Sequence, residues 1–203
     1  KGLHAPKVPY GEKDKRYRLE RLLEAEAGAR IAPAIKQVEA GRVEWEEEVL
    51  VANTEGVFAE EKRVRTRLFV LAVAQDGAEV QTGYSAPGKS VGLELFDLYP
   101  PKAVGEKAAR QALTNLKARP APAGTFPVVV GPGFGGVLFH EAVGHLLETT
   151  SVARKASVLA DKLGEVVASP AVTYIDDGTL PHAWGSTEMD DEGRPTERTV
   201  LIE

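Results

Sequence analysis

"VRTRLFVLAVAQDG", residues 64–77, decides how the first half of the chain is read. Val64, Thr66, Leu68, Val70 and Ala72 recur at every second position. A period of two puts that set on one face of a pleated strand. Gln75-Asp76-Gly77 then supplies turn chemistry, since glycine takes the backbone conformations a tight hairpin needs. Upstream, "VEWEEEVLVAN" (43–53) sets Val43, Trp45, Val49 and Val51 on one side, with Glu47 interrupting the series. Thr54-Glu55-Gly56 forms a second turn between the two runs. Residues 43–83 are therefore expected to fold as an antiparallel meander.

Helical patterns flank it. After an extended lead-in over residues 1–11, Tyr17, Leu22, Leu23 and Ala27 fall near one stripe of a helix from Asp14 to about Ala29. A second helical piece is expected from about Pro33 to Ala40, stopped by Gly41. Residues 103–118 place Val104, Ala108, Ala112, Leu113 and Leu116 at helical spacing before "RPAPAG" ends the helix. "TFPVVVGPG" (125–133) reads as a short buried strand running into a glycine-rich turn, with a further helix starting near Phe134. The expected fold class is α+β: an antiparallel β-meander and helices, with that last helix packed on a β-sheet. Two regions are expected, residues 1–119 and 120–203. The chain opens at Lys1 and stops inside "RTVLIE", an apolar run typical of a strand. This favours an internal piece of a longer protein, the first region belonging to a larger N-terminal domain and the second opening a further one.

Bulk composition narrows the partners. The net charge is −5 and no basic block of five or more occurs, which argues against nucleic acid and anionic membranes. No apolar run is long enough to span a bilayer and no signal peptide opens the sequence. The chain has no cysteine, so it holds neither a disulfide framework nor a thiolate metal site of its own. A reducing, cytoplasmic setting fits that composition.

The chemistry-bearing stretch is "FHEAVGHLLE", residues 139–148. His140 and His145 are five residues apart, one more than in the familiar helical HExxH pair. Two imidazoles on one tetrahedral zinc must bring their nitrogens to about 3.3 Å, given Zn–N bonds near 2.0–2.1 Å. Residues four apart on an α-helix differ by about 40° around the axis, whereas residues five apart differ by about 140°. A regular helix would point the two rings away from each other, so a π-turn or a local break is expected between Glu141 and His145. Gly144 is the position where the backbone could yield at least steric cost. Glu141 is placed as a general base that would take a proton from metal-activated water. Glu148, three residues past His145, could be a third ligand or a partner that orients a histidine.

The plainer alternative is an apolar helix whose histidines only pack or cap. Other patterns are weaker. "GPGFGG" (131–136) lacks the lysine and hydroxyl residue of a phosphate loop; it reads as a turn in which Gly135 and Gly136 could offer backbone contact to a peptide substrate. "DDG" (176–178) and "DDEG" (190–193) fit no calcium-loop spacing and read as solvated turns. His182, after Pro181, is a lone loop histidine.

With the motif placed, its surroundings become recognisable. "GGVLFHEAVGHLLE", "KLGEVVASPAVTYIDDGTLP" and "GSTEMDDEGRPTERTVLIE" resemble the TldD/PmbA (TldE) family of zinc metallopeptidases, and weaker similarity runs back through "ANTEGVFAEEKRVRTRLFVLAVAQDG". The resemblance covers residues 50–203 and implies a TldD-type zinc peptidase acting on small or unfolded polypeptides. It also implies a homo- or hetero-oligomer with another subunit of the family. Carried over by position, His140 and His145 are the Zn2+ ligands and Glu141 the catalytic base. The family's third ligand is a cysteine far towards the C-terminus, which this chain does not contain; either the chain is an internal fragment missing that ligand, or another group replaces it, Glu148 being the candidate. The competing readings are a non-catalytic scaffold module and an inactive fragment that lacks the third ligand. A phosphate-ligand binder built on the glycine-rich turn is a further one.

Overall fold

The structure, a computed structural model, describes Gly2 and residues 4–203. The alternating runs form the sheet that the sequence predicts. Strand β1 spans Ile35–Ala52, β2 Phe58–Asp76, β3 Glu79–Ser85, and the short β4 Gly88–Lys89. β1, β2 and β3 pair antiparallel in that order, and β4 pairs β2. Gly56 (φ 90°) and Gly77 (φ 57°) sit in the two hairpin turns, in the left-handed region only glycine enters freely. The alternate positions Val64, Thr66, Leu68, Val70, Ala72 and Ala74 of β2 are all buried. Thr66 satisfies its hydroxyl by donating to Val91 O at 2.8 Å.

The helical piece expected over Pro33–Ala40 is instead the beginning of β1. A register shift between Ile35 and Gln37 marks an irregularity there. An extra residue in a strand turns the side chains beyond it to the other face, which lets Ile35 share the core side with Val38 and Ala40. The resulting spacing of three mimics a helix in the sequence. The same shift means that β1 meets the core through those residues, while Val43 and Trp45, predicted to share the inner side, remain exposed.

Two helices cover the sheet. Helix α1, Lys15–Ala29, starts at Asp14, whose carboxylate accepts the Tyr17 N–H at 2.8 Å. After the short α2, Leu95–Leu98, helix α3, Pro101–Asn115, begins with proline where its missing N–H costs nothing. In α3 the predicted Val104, Ala108 and Ala112 are buried, and Leu113 and Leu116 pack against them. In α1 the predicted stripe is only half right: Tyr17 and Leu22 reach the core, but Leu23 is exposed and Ala25, Gly28 and Ala29 are buried instead. The reason is close backbone approach. A β-carbon on Gly105 would lie 2.0 Å from Ala25 O, and one on Gly28 would lie 2.2 Å from Lys102 O. The helices touch through their smallest residues, which a hydrophobic pattern does not weigh.

These elements, together with Asp177–Glu197, form one compact unit running to Pro120. Within it the returning segment 177–197 lies along β2 and β4. Glu61 accepts the Glu188 N–H at 2.8 Å, Arg63 donates to Met189 O at 3.1 Å, and Ser90 donates to Ala183 O at 2.9 Å. The Arg67 guanidinium stands 4.5 Å from the Trp184 ring.

The second unit comprises Ala121–Asp176 and Arg198–Glu203. It contains helices α4 (Gly136–Ala142) and α5 (Thr149–Ala153), a 3-10 turn at Gly144–Leu147, strand β6 (Arg198–Ile202) and all but the last residue of its partner β5 (Tyr174–Asp177). The strand expected at 125–130 does not form: this stretch is extended, unpaired and exposed. Its three consecutive valines gave the apolar run but not an alternation that pairing could use. Helix α4 has no fully buried residue, and the two-stranded sheet of this unit brings Tyr174 beside its C-terminal end. The α+β class holds. Among the described residues, no helix is long and apolar enough to cross a membrane.

Candidate metal centre

Helix α4 ends early. Its last bond joins Val143 N to Phe139 O at 2.9 Å, and Val143 then leaves helical geometry at φ −132°, ψ −38°. The chain rewinds as the tighter 3-10 turn over Gly144–Leu147 before Glu148 extends it. The break rotates the second histidine back towards the first, so the imidazole centroids of His140 and His145 lie 4.4 Å apart at 62°. It is a local break rather than a π-turn, and it falls at Val143, one residue before the glycine expected to absorb it.

Gly144 matters for a different reason. A β-carbon there would sit 2.9 Å from His140 Nδ1 and 2.9 Å from the Tyr174 hydroxyl. Tyr174 comes from β5 and was not singled out in the sequence, where "VTYID" carries only a strand-like signal.

His140, Glu141 and His145 can each offer one ligand atom, all within 4.8 Å of one another. Glu141 Oε2 lies 3.5 Å from His145 Nε2, and Glu148 Oε1 lies 2.7 Å from His145 Nδ1. The two carboxylates therefore meet opposite nitrogens of one ring. With Glu148 on Nδ1, the free nitrogen of His145 is the one that faces Glu141, and Glu148 stands outside the three-residue cluster. The side chains of His145 and Glu141 are 50% and 63% exposed. Side chains so exposed have room to adjust, and the two imidazole donors on a tetrahedral ion need about 3.3 Å between them. Two imidazoles suit zinc or another borderline divalent cation and leave positions for further ligands, so His140 and His145 fit such an ion with the Glu141 carboxylate beside them.

The remaining expected residues lie less centrally. Gly135 precedes α4, and a β-carbon there would strike Gly131 O at 2.3 Å, so the turn itself uses its small size. Gly136 borders open space. His182 belongs to the first unit, where its Nδ1 lies 3.1 Å from Ser90 O and its N–H donates to His4 Nδ1 at 3.2 Å. The acidic turns are capped by their own side chains: Asp177 accepts the Thr179 N–H at 2.9 Å, and Asp190 those of Glu192 and Arg194 at 2.9 Å each. These carboxylates serve their turns.

An α+β chain with an exposed His–Glu–His cluster fitted to a divalent cation is the class that fold and site define. Residues 7–116 match the PmbA/TldA metallopeptidase central domain, and residues 123–203 match the PmbA/TldA metallopeptidase C-terminal domain. The chain belongs to the TldD/PmbA metallopeptidase family. It is 42% identical to the metalloprotease TldD homolog of Haemophilus influenzae, with 77% of this chain and 33% of that protein aligned. It is 38% identical to a metalloprotease of Methanothermobacter thermautotrophicus, over 79% of this chain and 35% of that protein. The chain thus spans about a third of the length of these curated relatives. Among solved structures, TldE from Thermococcus kodakarensis superposes with a TM-score of 0.73 at 22% identity, covering 97% of this chain and 44% of that one. A Bacteroides thetaiotaomicron protein described as a candidate modulator of DNA gyrase gives 0.85 at 21% identity, covering all of this chain and 46% of that one. At such identities the likeness shows the fold alone.

Proposed function

We propose that this chain carries the metal-holding and proton-transferring part of a zinc-dependent peptidase that hydrolyses peptide bonds in small or unfolded polypeptides. The observation behind it is the break at Val143, which gathers His140, Glu141 and His145 although their spacing would scatter them on a regular helix. His140 and His145 hold the ion. When bound, zinc supplies Lewis acidity, polarising a carbonyl and acidifying water at neutral pH. Glu141 takes the proton of the attacking water and hands it to the leaving amine, a role its exposed, unburied carboxylate can perform in both directions. Glu148 accepts the Nδ1 proton of His145, fixing the tautomer that leaves Nε2 for the metal. Gly136 and its turn offer open backbone for a peptide to approach. The third ligand is the cysteine that the family resemblance puts beyond this chain, and the intact enzyme works with another TldD/PmbA-family subunit in the cytoplasm.

The test is Glu141→Ala in the full-length protein. Peptide cleavage should fall at least about 100-fold, the lower end of what general-base catalysis contributes, while zinc stays bound in unchanged stoichiometry. Cleavage at the wild-type rate would remove Glu141 from the role, and zinc-free wild-type protein would remove the centre altogether.

A further inference from the structure

Each imidazole of a metal pair needs its second nitrogen held, because that bond sets the tautomer and the ring's orientation. His145 has Glu148 for this. His140 has no such partner on its own helix, yet its Nδ1 edge faces the notch at Gly144, where the Tyr174 hydroxyl borders the same small space. Both atoms lie 2.9 Å from the position of the missing β-carbon, so any side chain at residue 144 would fill the space between ring and phenol. Tyr174 is half-buried on β5, a strand paired with β6, so its ring is carried by the sheet and not by a loop. His140, Gly144 and Tyr174 all belong to the second unit.

We propose that Tyr174 is a positioning residue of the metal centre: its phenol oxygen accepts the Nδ1 proton of His140 when the two imidazoles close on the ion. A phenol oxygen can accept while its own hydrogen points elsewhere. The bond leaves His140 Nε2 for the ion, matching the use of Nε2 by His145. The centre then has one oxygen acceptor behind each histidine, a carboxylate from the turn behind His145 and a phenol from the sheet behind His140. Gly144 is the residue that keeps the path between them clear. This inference rests on the zinc reading above.

The experiment uses the intact protein and zinc itself. Tyr174→Phe keeps the ring and removes only the oxygen. It should weaken zinc binding about 10- to 100-fold in competition with a chromogenic chelator, the usual cost of losing such a partner. The unfolding midpoint of the metal-free protein should stay where it is. Cobalt substituted for zinc should show shifted d–d bands in the variant, since the orientation of one ligand has changed. A variant with wild-type zinc affinity and an unchanged cobalt spectrum overturns the role of Tyr174 while leaving the centre intact. Wild-type protein that takes up no zinc overturns the metal reading, and this inference with it. Should Tyr174→Phe fail to fold, the wild type still decides. With 15N-histidine labelling, the zinc-loaded protein should show a slowly exchanging His140 Nδ1–H with a nuclear Overhauser contact to the Tyr174 ring. The absence of that contact overturns the assignment.

Discussion

The two units of this chain bury their apolar residues to very different degrees. In the first, Leu68, Val70, Leu95 and seven alanines have no exposed surface at all, and they form one continuous core with both long helices and the sheet. In the second, Val129 is 98% and Val166 93% exposed, and Phe134 is 89% exposed. The first unit therefore derives its order from burial. Much of the second unit's order comes from short local bonds, such as Ser157 donating to Leu146 O at 2.6 Å just behind the motif. Its sequence is no less apolar, so the difference lies in which residues find partners. The histidine pair sits in the loosely packed unit, where exposed side chains can still adjust to a ligand.

The largest expected effect tests that contrast directly. Leu68→Ala removes a fully buried side chain from the centre of β2 and should cost about 2–5 kcal/mol. Val166→Ala, an equally apolar truncation in the second unit, should change stability by less than about 0.5 kcal/mol. Urea unfolding of both variants measures the difference, and similar losses would dissolve the contrast.

Next comes the contact between helices. Gly105→Ala would drive a carbon to 2.0 Å from Ala25 O, backbone that can retreat only if α1 and α3 separate. The expected loss is about 3 kcal/mol, at the upper end for overpacking. Gly136→Ala has open space around it and should be stabilising or neutral. Thermal unfolding of the pair compares the two units at the level of a single methyl group.

A smaller effect concerns the segment that returns to the first unit. Glu61 is a buried carboxylate whose two oxygens accept from the Glu188 N–H and, at 2.9 Å, from Arg63 Nε. Glu61→Ala removes both acceptances and should cost about 2 kcal/mol, as hydrogen bonds to a charged group do. If residues 177–197 depend on it, backbone amides such as Met189 and Asp190 should lose hydrogen-exchange protection before those of β2. Uniform loss across the sheet would mean that the segment is no separate layer of stability.

These contrasts explain what the sequence could reveal. The β2 alternation was legible because each buried residue is followed by a less buried one, and the hairpin glycines carry their conformational reason in their type. The opening of β1 was misread because the irregularity between Ile35 and Gln37 converts a period of two into a spacing of three. The contact between α1 and α3 was illegible for a different reason: backbone approach is made by glycine and alanine, which carry little hydrophobic signal. At the motif, His140, Glu141 and His145 were legible by type and order, and helical geometry alone demanded a distortion between them. The position of that distortion at Val143 was not legible, since nothing about valine announces a break. Tyr174 lies about thirty residues along the chain from the histidines, and only the folded chain brings it beside Gly144.

The smallest expected effect is a pH dependence confined to the tightly packed unit. His4 is buried, and its Nδ1 accepts the His182 N–H while the two rings stand edge to face at 6.1 Å. Burial holds the imidazole below its ordinary value of 6.5, with His182 and Arg65 acting in the same direction and Glu188 and Glu61 opposing. The geometry agrees, because a proton on Nδ1 would have to break the bond from His182. The folded pKa is thus the lower one, so just below pH 6.5 the unfolded chain takes up a proton that the folded chain refuses. Stability from this group is complete above that pH and declines as the pH falls through the window beneath it. Urea midpoints at pH 7.5 and 5.5 measure it by difference. The wild type should lose more on acidification than His4→Gln, whose side-chain carbonyl can accept from His182 without titrating. Equal losses would place the acid sensitivity in the carboxylates and take it away from the buried histidine.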